Sequence, residues 1–128
     1  MRRISSLLPL FAIAAASLLC VQNVTAQSKD AAGNVYIISL VDLTPNFAAD
    51  GTKLLQQFAA ESRKDPGVVR FEVLKQDSRG NHLAILEVWR SKQAFEAHTA
   101  ADHTKQFREK LHPMLGSPYD ERIHSLVP

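Results

Sequence analysis

The sequence holds one cysteine in 128 residues, Cys20, and it lies inside an apolar N-terminal run. A lone cysteine closes no internal disulfide. Once that run is removed, no thiol remains for nucleophilic catalysis or for a thiolate metal site. H-E-x-x-H, a P-loop and G-x-G-x-x-G are also missing, which removes the short signatures of zincin, phosphate-cradle and dinucleotide sites. Nor is there an excess of one charge. The formal net charge is +2, with 15 Lys and Arg against 13 Asp and Glu, and Arg2 and Arg3 supply the whole difference. The remainder is balanced, so no nucleic-acid partner is expected.

What is present begins with an address. Met1-Arg2-Arg3 is a basic start, Leu7 to Val21 is almost wholly apolar, and Val24-Thr25-Ala26 sets small residues at −3 and −1 before Gln27. This pattern reads as a secretory signal over residues 1–26, giving a periplasmic or secreted chain that starts at Gln27. A membrane-spanning helix needs about 20 apolar residues. This stretch is shorter and contains Pro9, so no membrane association is expected after cleavage. A lipoprotein signal through Cys20 would carry a small residue where Leu19 stands. An exported domain without disulfides depends on its core or on a partner subunit.

Residues 27–34 read as a flexible leader and 35–128 as one domain. Val35 to Leu43 is apolar and β-branched on both faces, the mark of a strand covered on both sides. Thr44-Pro45 suits a helix start, with Thr44 as cap. Phe47, Leu54, Leu55, Phe58 and Ala59 then form a stripe of helical period. Gly51 weakens this helix by about 1 kcal/mol relative to Ala. Asp65-Pro66-Gly67 ends it. Val68 to Gln76 and His82 to Trp89 read as two strands joined by the turn Asp77–Asn81. Ser91 caps a helix that presents Ala94, Phe95, Ala97 and His98 inward. Asp102 caps a renewed helix with His103, Phe107 and Leu111 on one face. Tyr119 to Val127 reads as a last, more polar strand. The order β-α-β-β-α-β predicts an α+β, ferredoxin-like fold with helices on one face of an antiparallel sheet. The other face carries Val and Ile with nothing left in the chain to cover it, which predicts a homodimer with facing sheets.

Glu87-x-Trp89-x-Ser91, then Glu96-Ala97-His98, then His103 and Phe107 resembles the antibiotic biosynthesis monooxygenase (ABM) domain family. The similarity is greatest to its small quinol-monooxygenase-like members, and the Pro66-Gly67 turn also fits. It spans about Val35 to Val127. The resemblance implies a dimeric α+β barrel with a pocket between sheet and helices, acting on aromatic or quinol substrates without metal or flavin. The haem-degrading branch is less similar. His98 stands where that branch places a Trp, Arg108 where it places a His, and Ser39-Leu40-Val41 where it places an Asn.

The residues themselves point to proton transfer. Imidazole accepts a phenolic proton near neutral pH, and a deprotonated quinol gives electrons to O2 far more readily than a neutral one. The expected pocket is lined by Trp89, Phe95, His98, His103 and Phe107, with Phe71 as a further wall and Glu87 beside it. His98 is the leading general base and His103 a second base or an orienting donor. Five residues separate them, which is not one helical face, but a break at Thr99–Asp102 would turn both toward one cavity. The same spacing argues against a helical zinc pair, so no metal and no cofactor is expected. Each residue also has a packing alternative. His98 fills helix–sheet space, His103 ties down a loop, Trp89 is core, and Glu87 in its apolar strand pairs with Arg70 or a His. His82, His112 and His124 are assigned no role.

The function expected is an exported, cofactor-independent monooxygenase for a small aromatic or quinol-like compound. The alternatives are a non-catalytic small-molecule-binding or stress-response domain of the same fold, and an isomerase using the same His pair. A cavity reached by either histidine favours an enzyme. A space filled by Phe and Trp favours binding alone.

Overall fold

The computed structural model of the chain describes residues 33–127. The expected signal, its cleavage point and most of the leader lie outside them. Four strands and three helices follow in the order β1 (Val35–Asp42), α1 (Ala48–Ser62), β2 (Val68–Gln76), β3 (Arg79–Trp89), α2 (Lys92–Ala100), α3 (Asp102–Leu111), β4 (Asp120–His124). The sheet runs β2-β3-β1-β4 and every pairing is antiparallel. This is the ferredoxin-like arrangement, with α2 and α3 together filling the place of one helix. Among the described residues, no helix is long and apolar enough to cross a membrane.

Alternation along the strands decides which face is buried. Ile37, Ser39 and Val41 of β1, Leu83, Ile85, Glu87 and Trp89 of β3, and Phe71 of β2 face the helices and are buried. From α1, Leu55, Phe58 and Ala59 close over them, and from α2 and α3 come Phe95, Phe107 and Leu111. The opposite sheet face is open: Ile38 is 41%, Leu40 50% and Leu74 49% exposed. Within one chain, β1 is therefore covered on one side only, not on both.

Several local expectations change. The turn is tighter than Asp77–Asn81, because Gln76 already pairs with Arg79 and leaves Asp77-Ser78 as the connection. A bulge between Val68 and Arg70 breaks the simple alternation at the start of β2. A 3₁₀ turn at Pro45–Phe47 precedes α1, and the Thr44 side chain makes no capping bond. Gly51 is buried in α1, where a Cβ would lie 2.5 Å from Leu43 Cδ1. It is a close-approach position between α1 and the end of β1, so its helix-weakening cost accompanies a packing requirement. Ala97 is exposed, and the last strand is limited to five residues.

Candidate functional site

Two connections build the site. The first is the α1–β2 turn. Gly67 sits at φ +82°, a conformation that favours glycine. A Cβ there would come within 2.6 Å of Ala94 Cβ. Arg90 N–H donates to Gly67 O at 2.9 Å. The turn is thus pressed onto the start of α2, where Ser91 Oγ accepts from Ala94 N–H at 3.1 Å. Asp65, two residues before Gly67, is carried to the inner face of α2.

The second connection is Ala101, a single extended residue (φ −66°, ψ 146°) that ends α2 and caps α3. Asp102 is the first helical residue, not the cap. Thr104 and Lys105 N–H donate to Ala101 O, so α3 restarts at a new angle. This break is what lets residues five apart converge: the rings of His98 and His103 lie 5.6 Å apart, centre to centre.

Asp65 joins them. Its Oδ2 is 2.7 Å from His98 Nδ1 and 3.0 Å from His103 Nε2. On the far side, His98 Nε2 is 3.8 Å from Glu87 Oε2, which accepts from Trp89 Nε1–H at 2.8 Å. The Thr104 hydroxyl lies 3.5 Å from His98 Nδ1. Asp65, His98, Glu87 and Trp89 thus form a polar chain through an aromatic interior. Burial pushes His98 below the usual imidazole range, against the pull of Asp65, so the ring is held neutral. Burial raises the Glu87 carboxyl to about 7, offset in part by the Trp89 hydrogen bond. Glu87 does not pair with Arg70. That arginine meets Glu72 at 3.1 Å, while Phe71 is the residue opposite Glu87 in the sheet. The other expected partner, a histidine, is the one that faces it.

The expected aromatic residues gather here, but they fill the space. Trp89 lies 4.6 Å from the His98 ring, Phe71 5.8 Å and Phe95 6.5 Å, and all four residues are buried. His98 is sealed on the sheet side. His103 is different, with 28% of its side chain exposed. With Phe107 it lines a groove of about 130 Å³ between α1 and α3, whose other walls include Leu54, Phe58, Glu61 and Lys110. This groove lies between the helices, while the space round His98 between the sheet and α2 is occupied by Trp89, Phe71 and Phe95. Phe58 stacks on Phe107 at 3.7 Å, nearly parallel, and touches both imidazoles.

Asp65 and Phe58 are the participants that sequence reasoning missed. The sequence pattern marks Asp65 only as part of a helix stop and Phe58 only as part of an apolar stripe. The available signal was an acid immediately before a Pro-Gly turn, at the end of the helix that must cover the sheet.

The chain's likeness to known proteins agrees with this architecture. The profile of the family described as "Antibiotic biosynthesis monooxygenase" matches residues 26–110. An uncharacterised Synechocystis protein, sll1783, is 23% identical over 99 residues, 77% of this chain and 67% of its own length. Mycobacterium tuberculosis Rv0793 has a similar structure, with a TM-score of 0.71 at 19% identity over 75% of this chain and 97% of that one. A Nitrosomonas europaea structure, described as a candidate antibiotic biosynthesis monooxygenase, gives 0.70 at 15% identity over 73% and 99%.

Proposed function

The chain belongs to the antibiotic biosynthesis monooxygenase family, and on that footing we propose that it is an exported, cofactor-independent monooxygenase for a small aromatic or quinol-like compound, with a histidine as general base. The observation that carries this reading is His103. Its ring is backed by the Asp65 carboxylate and opens onto an aromatic-walled groove. The groove, about 130 Å³, is close to the about 150 Å³ that accommodates a benzene ring. Phe58 and Phe107 offer apolar surface to the substrate, and Lys110 and Glu61 offer polar groups at the rim.

In this reading His103 takes a hydroxyl proton from the substrate. The resulting anion gives electrons to O2, one oxygen atom enters the ring, and the other leaves as water, so that AH2 and O2 become A=O and H2O. His98, sealed and neutral, holds Asp65 in place from the other side. Two further parts of the proposal rest on separate observations. The open apolar sheet face around Ile38, Leu40 and Leu74 supports a homodimer with facing sheets. The composition of residues 1–26 supports export.

One specific observation favours the non-catalytic alternative. The interior around His98 is filled by Trp89, Phe71 and Phe95, as in a packed core. Oxygen consumption by the purified protein with a panel of hydroquinones separates the readings. Turnover in the wild type, reduced ~10²–10⁴-fold in His103→Ala, is the expected result. His98→Gln is the suitable companion variant, since truncating the buried ring to Ala would leave Asp65 and Glu87 facing a cavity. No oxygen uptake with any hydroquinone leaves the binding domain as the better account.

A further inference from the structure

We propose that Asp65, His98 and His103 form a three-ligand site for a divalent transition-metal ion of the zinc class, open toward the α1–α3 groove. Asp65 Oδ2, one His98 nitrogen and one His103 nitrogen all lie within 4.8 Å of one another. Two imidazoles and a carboxylate suit zinc and its neighbours. In tetrahedral geometry an ion at about 2.0–2.1 Å from each nitrogen sets the two about 3.4 Å apart, so the rings need to close by up to about 1.4 Å. His103, the second residue of α3 and partly exposed, is the ring with room for that movement.

Two further observations point to a ligand. His103 Nε2 is enclosed yet has no hydrogen-bond partner among the described residues, although Asp65 Oδ2 is 3.0 Å away. The approach is close but off the direction of a hydrogen bond, so one ring nitrogen faces the cluster with its valence unmet. The second is Glu87. Metal-bound histidines commonly donate their other ring N–H to a carboxylate, which fixes the tautomer. With His98 Nδ1 on the ion, its N–H moves to Nε2, 3.8 Å from Glu87 Oε2. Glu87 is itself held by Trp89. The groove lies against His103, and Asp65 and His103 keep 18% and 28% of their side chains exposed, which leaves an approach for an ion and for water or a small anion.

This inference goes beyond the proposed oxidation and does not require it. Where both hold, the ion takes the lone pairs that proton transfer needs, and metal binding inhibits turnover.

The test is titration of the purified protein with Co2+, followed by visible absorption, and with Zn2+, followed by calorimetry. One ion per chain is expected, with d–d bands of a low-symmetry nitrogen–oxygen site. His103→Gln and Asp65→Asn should each weaken binding more than tenfold, with folding checked by circular dichroism. Glu87→Gln should weaken it by about 10- to 100-fold without contacting the ion. Zn2+ should also raise the thermal midpoint of the wild type and not of His103→Gln. Absence of saturable uptake at millimolar Co2+ overturns the proposal. So does uptake that is unchanged in His103→Gln, which would place the ion on His82, His112 or His124. Neither readout depends on oxygen consumption, so failure of the metal site and failure of the oxidation are distinguishable.

Discussion

Replacing Asp65 by Asn tests the centre of the site with little change of shape. Among the described residues, the Asp65 carboxylate lies within hydrogen-bond distance of both imidazoles, at 2.7 Å and 3.0 Å. An amide keeps one acceptor oxygen but loses the charge. A hydrogen bond to a charged group contributes about 1.5–3 kcal/mol and a neutral one about 0.5–1.5. The substitution should therefore cost about 1–1.5 kcal/mol. For a domain of this size that lowers the thermal midpoint by roughly 4–12 °C. The kinetic effect has a definite sign. Asp65 raises the His98 pKa against the effect of burial, and a carboxylate stabilises any imidazolium beside it. Its removal takes away the charge that backs the base, so turnover falls by ~10²-fold. Thermal melts and an oxygen electrode read both effects. A variant with the wild-type midpoint and the wild-type rate would refute the role of Asp65.

Glu87 carries a stability prediction. Its folded pKa is raised to about 7, so between about 4.5 and 7 the folded state binds more protons than the unfolded one. Stability from this group is present at low pH and is lost as pH rises through that window. Glu87→Gln should flatten the fall, and parallel midpoint-versus-pH curves for the two proteins would count against it. Gly51→Ala should destabilise by about 1–3 kcal/mol despite the better helix former, because the new Cβ meets the buried Leu43 side chain. A raised midpoint in urea denaturation would show that Leu43 yields. Leu40→Asp on the open sheet face should convert a dimer to a monomer in light scattering, and a monomeric wild type removes the premise.

The fold was legible because local and global signals agree along most of the chain. Apolar stripes, the Pro-Gly turn and the Ser91 cap placed six of the elements close to where they lie. Hairpin detail was not legible, because Arg79, Gly80 and Asn81 have turn composition yet extend β3 to meet β2. Gly51 looked like a flaw until the approach of Leu43, 8 positions earlier and across a chain reversal, gave it a purpose. At the site, Glu87, Trp89, Phe95, His98, His103 and Phe107 could be named from their spacing. Their division into a sealed group and an open one could not, since it depends on how far α3 swings at Ala101. Asp65 stayed hidden for a related reason. Its partners are 33 and 38 positions further on, and the contacts of the Gly67 turn with Arg90 and Ala94 bring them together.

The same contacts suggest why two histidines share one carboxylate. On the proposed reading, a base must take a proton at His103 and hold it while O2 reacts. If His98 were also charged, Asp65 could balance only one of the two cations, and proton uptake at His103 would be opposed by its neighbour at a ring separation of 5.6 Å. Burial among Trp89, Phe71 and Phe95 prevents this by keeping His98 neutral. A neutral His98 still donates one N–H to Asp65 and fixes its orientation, while the negative charge remains for His103. The packed aromatic interior, which alone would read as mere core, thereby sets the charge state of the residue behind the groove. A substitution that admits water to His98 without touching His103, such as Phe95→Ala, should let His98 take a proton as pH falls and so depress turnover below neutrality. If the acid limb of Phe95→Ala coincides with that of the wild type, the burial of His98 has no part in the chemistry.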